Sequence, residues 1–106
     1  MQIKYLNSLP AKQKKEILDP LVKESLTNHF QGFDIKEMNK NWTQNDLYVS
    51  FIIKKGPIER DMKGLIKVNE TSLQIDFDVP EIVKNFVTEE KIKKAIFEKL
   101  ESAFTK

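Results

Sequence analysis

Apolar and polar residues alternate along "DMKGLIKVNETSLQIDFDVP" (61–80), interrupted only by a short polar turn. Gly64, Ile66 and Val68 fall on one side, and Leu73, Ile75, Phe77 and Val79 continue that side beyond a turn at Asn69 and Glu70. Ser72, Gln74, Asp76 and Asp78 fill the other side. A two-residue period of this kind predicts an antiparallel hairpin, dry on one face and wet on the other. Pro80 ends its second strand, having no N–H to give the ladder.

Upstream, "LYVSFIIKK" places Leu47, Val49, Phe51 and Ile53 on one face of a further strand, and "TQND" before it reads as a turn. "FDIKEMNKNW" alternates imperfectly: Phe33 and Ile35 share a face that Met38 and Trp42 leave, which a bulge between them would reconcile. "KKGPIERD" reads as a mobile loop, and "QIKYL" near the start as a short strand.

Helical spacing replaces alternation in two stretches. In "SLPAKQKKEILDPLVKESLTNHF" the residues Ile17, Leu18, Leu21, Val22, Leu26 and Phe30 form one stripe with a 3.6-residue period. Pro10 suits a first turn, and Gly32 a helix end. Pro20, inside the stripe, predicts a kink or a break, with Asp19 capping the restarted helix. After a helical turn at "EIVKNF", Thr88 caps a last helix. Glu89 and Glu90 occupy its first turn, and Ile92, Ile96, Leu100, Ala103 and Phe104 line its apolar side.

The resulting order is β-α-β-β-β-β-α over a single domain, residues 1–106. It predicts an α+β fold: an antiparallel sheet of four to five strands with two helices packed on one face. Phe51, Ile66, Ile75, Phe77, Ile96 and Leu100 should meet in one core.

Composition adds little that is specific. The 18 basic and 16 acidic residues are spread evenly, ten against seven up to residue 60 and eight against nine after it. With Arg60 the single arginine, no concentrated basic stripe exists and no nucleic-acid partner is expected. No apolar run is long enough to span a bilayer, and "MQIKYLNSLPAKQKKE" lacks the apolar stretch of a secretory signal. With no cysteine, a cytoplasmic location is expected.

Candidate chemistry is equally sparse. His29 is the single histidine, so neither a histidine metal cluster nor a Ser-His-Asp triad can be assembled. Asp76 and Asp78 share the wet face and pair most naturally with solvent or with Lys63 and Lys67. "KKGPIE" lacks the glycines of a phosphate loop and reads as a turn. Lys91, Lys93 and Lys94 could bind a polyanion, but glutamates interleave them. No catalytic residue, metal ligand or cofactor is assigned. The surface-binding candidates are Trp42, Tyr48 and Ile52, set off the core face by strand parity. Tyr48 and Ile52 project the same way, about 13 Å apart by strand rise.

From Trp42 onward, "NWTQNDLYVSF", "GLIKV", "LQIDFDVPEIV" and "KIKKAIFEKLESAF" succeed one another. In that order the chain resembles the small bacterial family of polyhydroxyalkanoic acid system, or granule-region, proteins. The resemblance implies a cytoplasmic accessory protein without catalytic residues, associated with storage-polyester metabolism at the granule surface or through a granule-bound protein. Two other readings stand beside it. One is a helix-grip-like module holding a lipid-like ligand between the sheet and the last helix. The other is a protein–protein adaptor using an edge strand such as "QIKYL".

Overall fold

The elements follow in the order β1 (Gln2–Leu6), α1 (Ala11–His29), β2 (Asp34–Thr43), β3 (Asp46–Lys55), β4 (Ile58–Val68), β5 (Ser72–Asp78), α2 (Glu81–Lys84) and α3 (Glu89–Phe104). They belong to a computed structural model that describes residues 1–29, 33–86 and 88–105, with the backbone alone for 23–29. Phe30, Gly32 and the side chains of Leu26 and His29 therefore lie outside the described residues.

All five strands form one antiparallel sheet in the order β1-β5-β4-β3-β2. The α+β architecture is the one the alternation predicts, with the four strands β2 to β5 as a meander. β1 adds to β5, with Gln2 opposite Asp76 and Leu6 opposite Ser72. Leu47, Val49, Phe51 and Ile53 are all buried, as are Leu73, Ile75 and Phe77, so the parity holds across the sheet. Leu18 and Val22 of α1 and Ile92, Ile96, Leu100 and Phe104 of α3 cover this face. Thr88 caps α3, accepting the Lys91 N–H at 3.3 Å.

Phe77 sits at the centre of these contacts. Its cross-strand partner is Gly64, and its ring lies where a Gly64 side chain would be: a Cβ there would stand 2.3 Å from the ring. The same ring meets Phe51 edge-on at 6.4 Å. The absence of a side chain on β4 is thus what lets the largest apolar group of β5 lie flat in the sheet.

Three features differ from the alternation pattern. α1 runs through Pro20 without a break, and Asp19 caps no restarted helix; its carboxylate reaches β2 instead. An interior proline costs about 3 kcal/mol, and the contacts of α1 with the sheet outweigh it. The segment 54–61 is no mobile loop, because Lys55 pairs with Ile58 across a two-residue turn. Gly56 there has φ of +59°, which glycine adopts freely, and Pro57 fits the second position of a hairpin opening on glycine. Finally, the β4–β5 turn is held from outside. Lys14 of α1 is wholly buried, and its ammonium donates to the carbonyls of Asn69 at 2.6 Å and Glu70 at 3.0 Å. The Asn7 N–H binds the next carbonyl, that of Thr71, at 2.9 Å.

Phe77→Ala should cost about 3–5 kcal/mol, the range for truncating a buried phenylalanine. Chemical denaturation measures it, and a loss under about half a kcal/mol would mean that the side chain is not in the core.

Burial holds the Lys14 ammonium below its ordinary value of 10.5, with the Glu70 charge opposing. The folded protein therefore releases this proton more readily than the unfolded chain, and Lys14 adds stability as pH rises towards 10.5. Lys14→Met should lose about 1–3 kcal/mol at neutral pH through the missing donors. Its stability gap to wild type should widen in that alkaline window, as followed by urea titrations at stepped pH.

Candidate functional site

Both long helices lie on one face of the sheet, and among the described elements no helix covers the other. Its side chains follow from the register. Tyr48 stands between Leu65 on β4 and Asn41 on β2, and beyond Leu65 come Asp76 and Gln2. Ser50 follows between Lys63 and Asn39, and Ile52 between Asp61 and Lys36. Tyr48 is 48% exposed, while Ile52 and Leu65 are half-buried. Tyr48 and Ile52 thus share the outer face, as parity predicts, with Ser50 between them.

Leu65 completes the apolar part of this face and was not among the sequence candidates. Its signal was present, since in "GLIKV" it is the apolar residue on the wet side, between Gly64 and Ile66. Tyr48 and Leu65 are direct cross-strand neighbours, close enough for side-chain contact. Around them runs a field of both signs, with Lys4, Lys67 and Asp46 on one side and Asp78, Lys63 and Asp61 on the other.

Trp42 does not belong to this face. One extra residue in β2, between Lys36 and Asn39, shifts the register, and Glu37 takes a φ of +51° there. Trp42 is thereby turned to the side of its partner Leu47, under α1, where it is half-buried. Its indole N–H donates to the Asp19 carboxylate at 2.9 Å, and the Lys15 ammonium lies 5.4 Å from the ring centre. Lys40 adds an ion pair to Asp19 at 3.4 Å. Parity counted without the bulge placed Trp42 outside; the bulge makes it the link between α1 and the β2 edge.

The bulge also shapes the outer face, where a hollow of about 230 Å³ opens beside Ile52 between Asn39, Ser50, Asp61 and Lys63. A wider hollow of about 600 Å³ lies beside Leu65, between Gln2, Lys4, Lys67, Gln74 and Asp76. Both are open, and each is lined by polar and apolar surface in nearly equal parts. Between the layers, the space framed by Leu18, Val22, Ile66, Phe77, Ile96 and Leu100 is about 30 Å³. Small-molecule clefts run about 300–1,000 Å³, so the interlayer space does not fit an acyl chain.

Asp76 and Asp78 point out from β5, Asp76 into the open hollow beside Leu65 and Asp78 directly opposite Lys63. Lys91, Lys93 and Lys94 are exposed on α3. Among the described residues, no three His, Cys, Asp or Glu side chains gather in a metal-sized cluster. No described helix is long and apolar enough to cross a membrane. The bare face can offer an aromatic and two aliphatic side chains inside a charged border, which is equipment for contact.

No family model matches this chain, and neither a curated protein nor a solved structure matches it.

The hydrogen bond from Trp42 and the charge of Lys40 hold the Asp19 carboxyl below its ordinary value of 3.8, against the effect of burial. A depressed carboxylate stabilises the fold above that value and loses the contribution as pH falls through the folded pKa. Trp42 is the single tryptophan, so its emission reports on this contact. As pH falls below about 4, wild type should lose stability and change emission together. Asp19→Asn keeps an acceptor for the indole but no charge, so it should show a flatter acid profile.

Proposed function

We propose that this chain is a non-enzymatic accessory protein of the bacterial cytoplasm that presents the outer face of its sheet to a polyester granule, or to a protein bound there. The observation that carries the reading is the bare sheet face on which Tyr48 and Leu65 stand side by side, with Ile52 beyond Ser50. The resemblance to the granule-region family supplies the kind of surface.

A polyester boundary offers methyl and methylene groups with ester carbonyls among them. Tyrosine suits it, because the ring lies against the apolar groups while the hydroxyl donates to a carbonyl. The surrounding lysines lay their methylene stems along the surface and keep their ammonium groups in water. Tyr48 and Ile52 would contribute the contact area and Leu65 would extend it. None faces the helices, so the working surface can change without disturbing the core.

Tyr48→Ser with Ile52→Ser tests the reading by co-sedimentation with polyester particles. Partial burial of two apolar side chains is worth about 1.4 kcal/mol or more, so partition should fall about ten-fold. Thermal unfolding should stay as in wild type. Equal sedimentation of two folded proteins would sink the outer-face reading.

A further inference from the structure

The two edges of the sheet are not alike. β2 is blunted by its bulge and by Lys36, Glu37 and Lys40, devices that discourage a further strand. β1 is regular. Phe77 N–H binds the Met1 carbonyl and Asn7 N–H binds that of Thr71, so the odd residues of β1 bond to β5. The N–H and C=O groups of Gln2, Lys4 and Leu6 consequently point to the open side. Among the described residues no strand lies beyond them.

Apolar groups flank this open edge on both faces. Leu6 is 72% exposed on the outer side. On the helix side Phe97 is 43% exposed, with its ring edge-on to Tyr5 at 5.4 Å. One turn to either side of Phe97, on the same ridge of α3, stand Lys93 and Glu101, both exposed. The Glu101 carboxylate neighbours the Tyr5 hydroxyl, which places this ridge along the β1 edge. The ridge reads cation, aromatic, anion.

We propose that a second copy of this chain pairs along β1 about a two-fold axis passing beside Tyr5 and Phe97. Such an axis sets the two α3 ridges antiparallel, so Lys93 of each copy faces Glu101 of the other while the Phe97 rings meet between them. An interface of this kind uses one patch twice, and the patch must therefore complement itself. The sign reversal across Phe97 supplies that complementarity. The same axis fixes the strand register: Tyr5 lies opposite its own copy, and Lys4 opposite Leu6. A register centred on Lys4 would set like charges face to face, which is unfavourable. The product is a continuous ten-stranded sheet whose bare faces lie side by side. It depends on the β1 edge alone, whatever the bare face binds.

Sedimentation equilibrium tests the proposal. Wild type should have twice the chain mass of 12.4 kDa. Lys4→Pro removes an N–H that points to the open side and leaves the β1–β5 bonds in place. It should give the single-chain mass and unfold as wild type does when diluted to single chains, and Phe97→Glu should do the same. Lys93→Glu should weaken the dimer, and adding Glu101→Lys should restore it by exchanging the signs. Should Phe97→Glu disturb the melt, Lys4→Pro decides by itself. A wild type that stays single up to about 100 μM, weaker than about 5.5 kcal/mol of association, overturns the proposal. So does a dimer indifferent to Lys4→Pro.

Discussion

The contact on which both layers depend is the ring of Phe77 lying across the bare backbone of Gly64. A side chain at position 64 would lift the ring from β4 and push it towards the helices. Because it lies flat, Phe51 can approach from β3, while Ile96 and Leu100 of α3 and Val22 of α1 close over the same spot. Interiors pack as densely as organic crystals, so a small displacement here would spread to every neighbour. The space of about 30 Å³ remaining between the layers marks how fully the helices occupy this face.

A second tie acts at the end of the sheet. The β4–β5 turn presents three successive carbonyls towards the start of the chain; Lys14 takes two and Asn7 the third. A long polar side chain from α1 thus satisfies a turn that would otherwise rely on solvent. At the opposite side of the sheet Trp42 and Asp19 join α1 to β2. Between them these contacts hold α1 at both flanks, and they let it continue through Pro20.

Much of the fold was legible in the sequence, because strand parity depends on a period of two and needs no tertiary knowledge. The hairpin of 61–80, the face of β3 and the stripe and cap of α3 follow directly from residue type and spacing. Gly56-Pro57 was legible too: glycine then proline between apolar runs reads as a tight turn, and only the extent of the strands to either side of it went unread. What local pattern could not express are long-range side-chain contacts. Lys14 looks like one more surface lysine until the turn it meets, 55 residues on, is folded against it. Trp42 turned on one extra residue: the bulge expected between Ile35 and Met38 brings it to the core face, and parity counted without that bulge sends it outside. For the candidate surface, Tyr48 and Ile52 could be read from parity, whereas Leu65 was masked by the stronger apolar signal on either side of it.

The place of β1 bears on how the protein is made. Among the described residues its one partner in the sheet is β5, about seventy residues further along the chain. A ribosome delivers β1 and α1 long before the strand that completes their side of the sheet, so the apolar stripe of α1 and the inner side of β1 have nothing complete to rest on in the interval. The meander of β2 to β5 can assemble by short-range turns, but the closing step joins distant segments, and such closures slow folding. Synthesis therefore passes through a state in which the first strand waits, and the lysines interleaved through the first half of α1 keep that waiting segment in water.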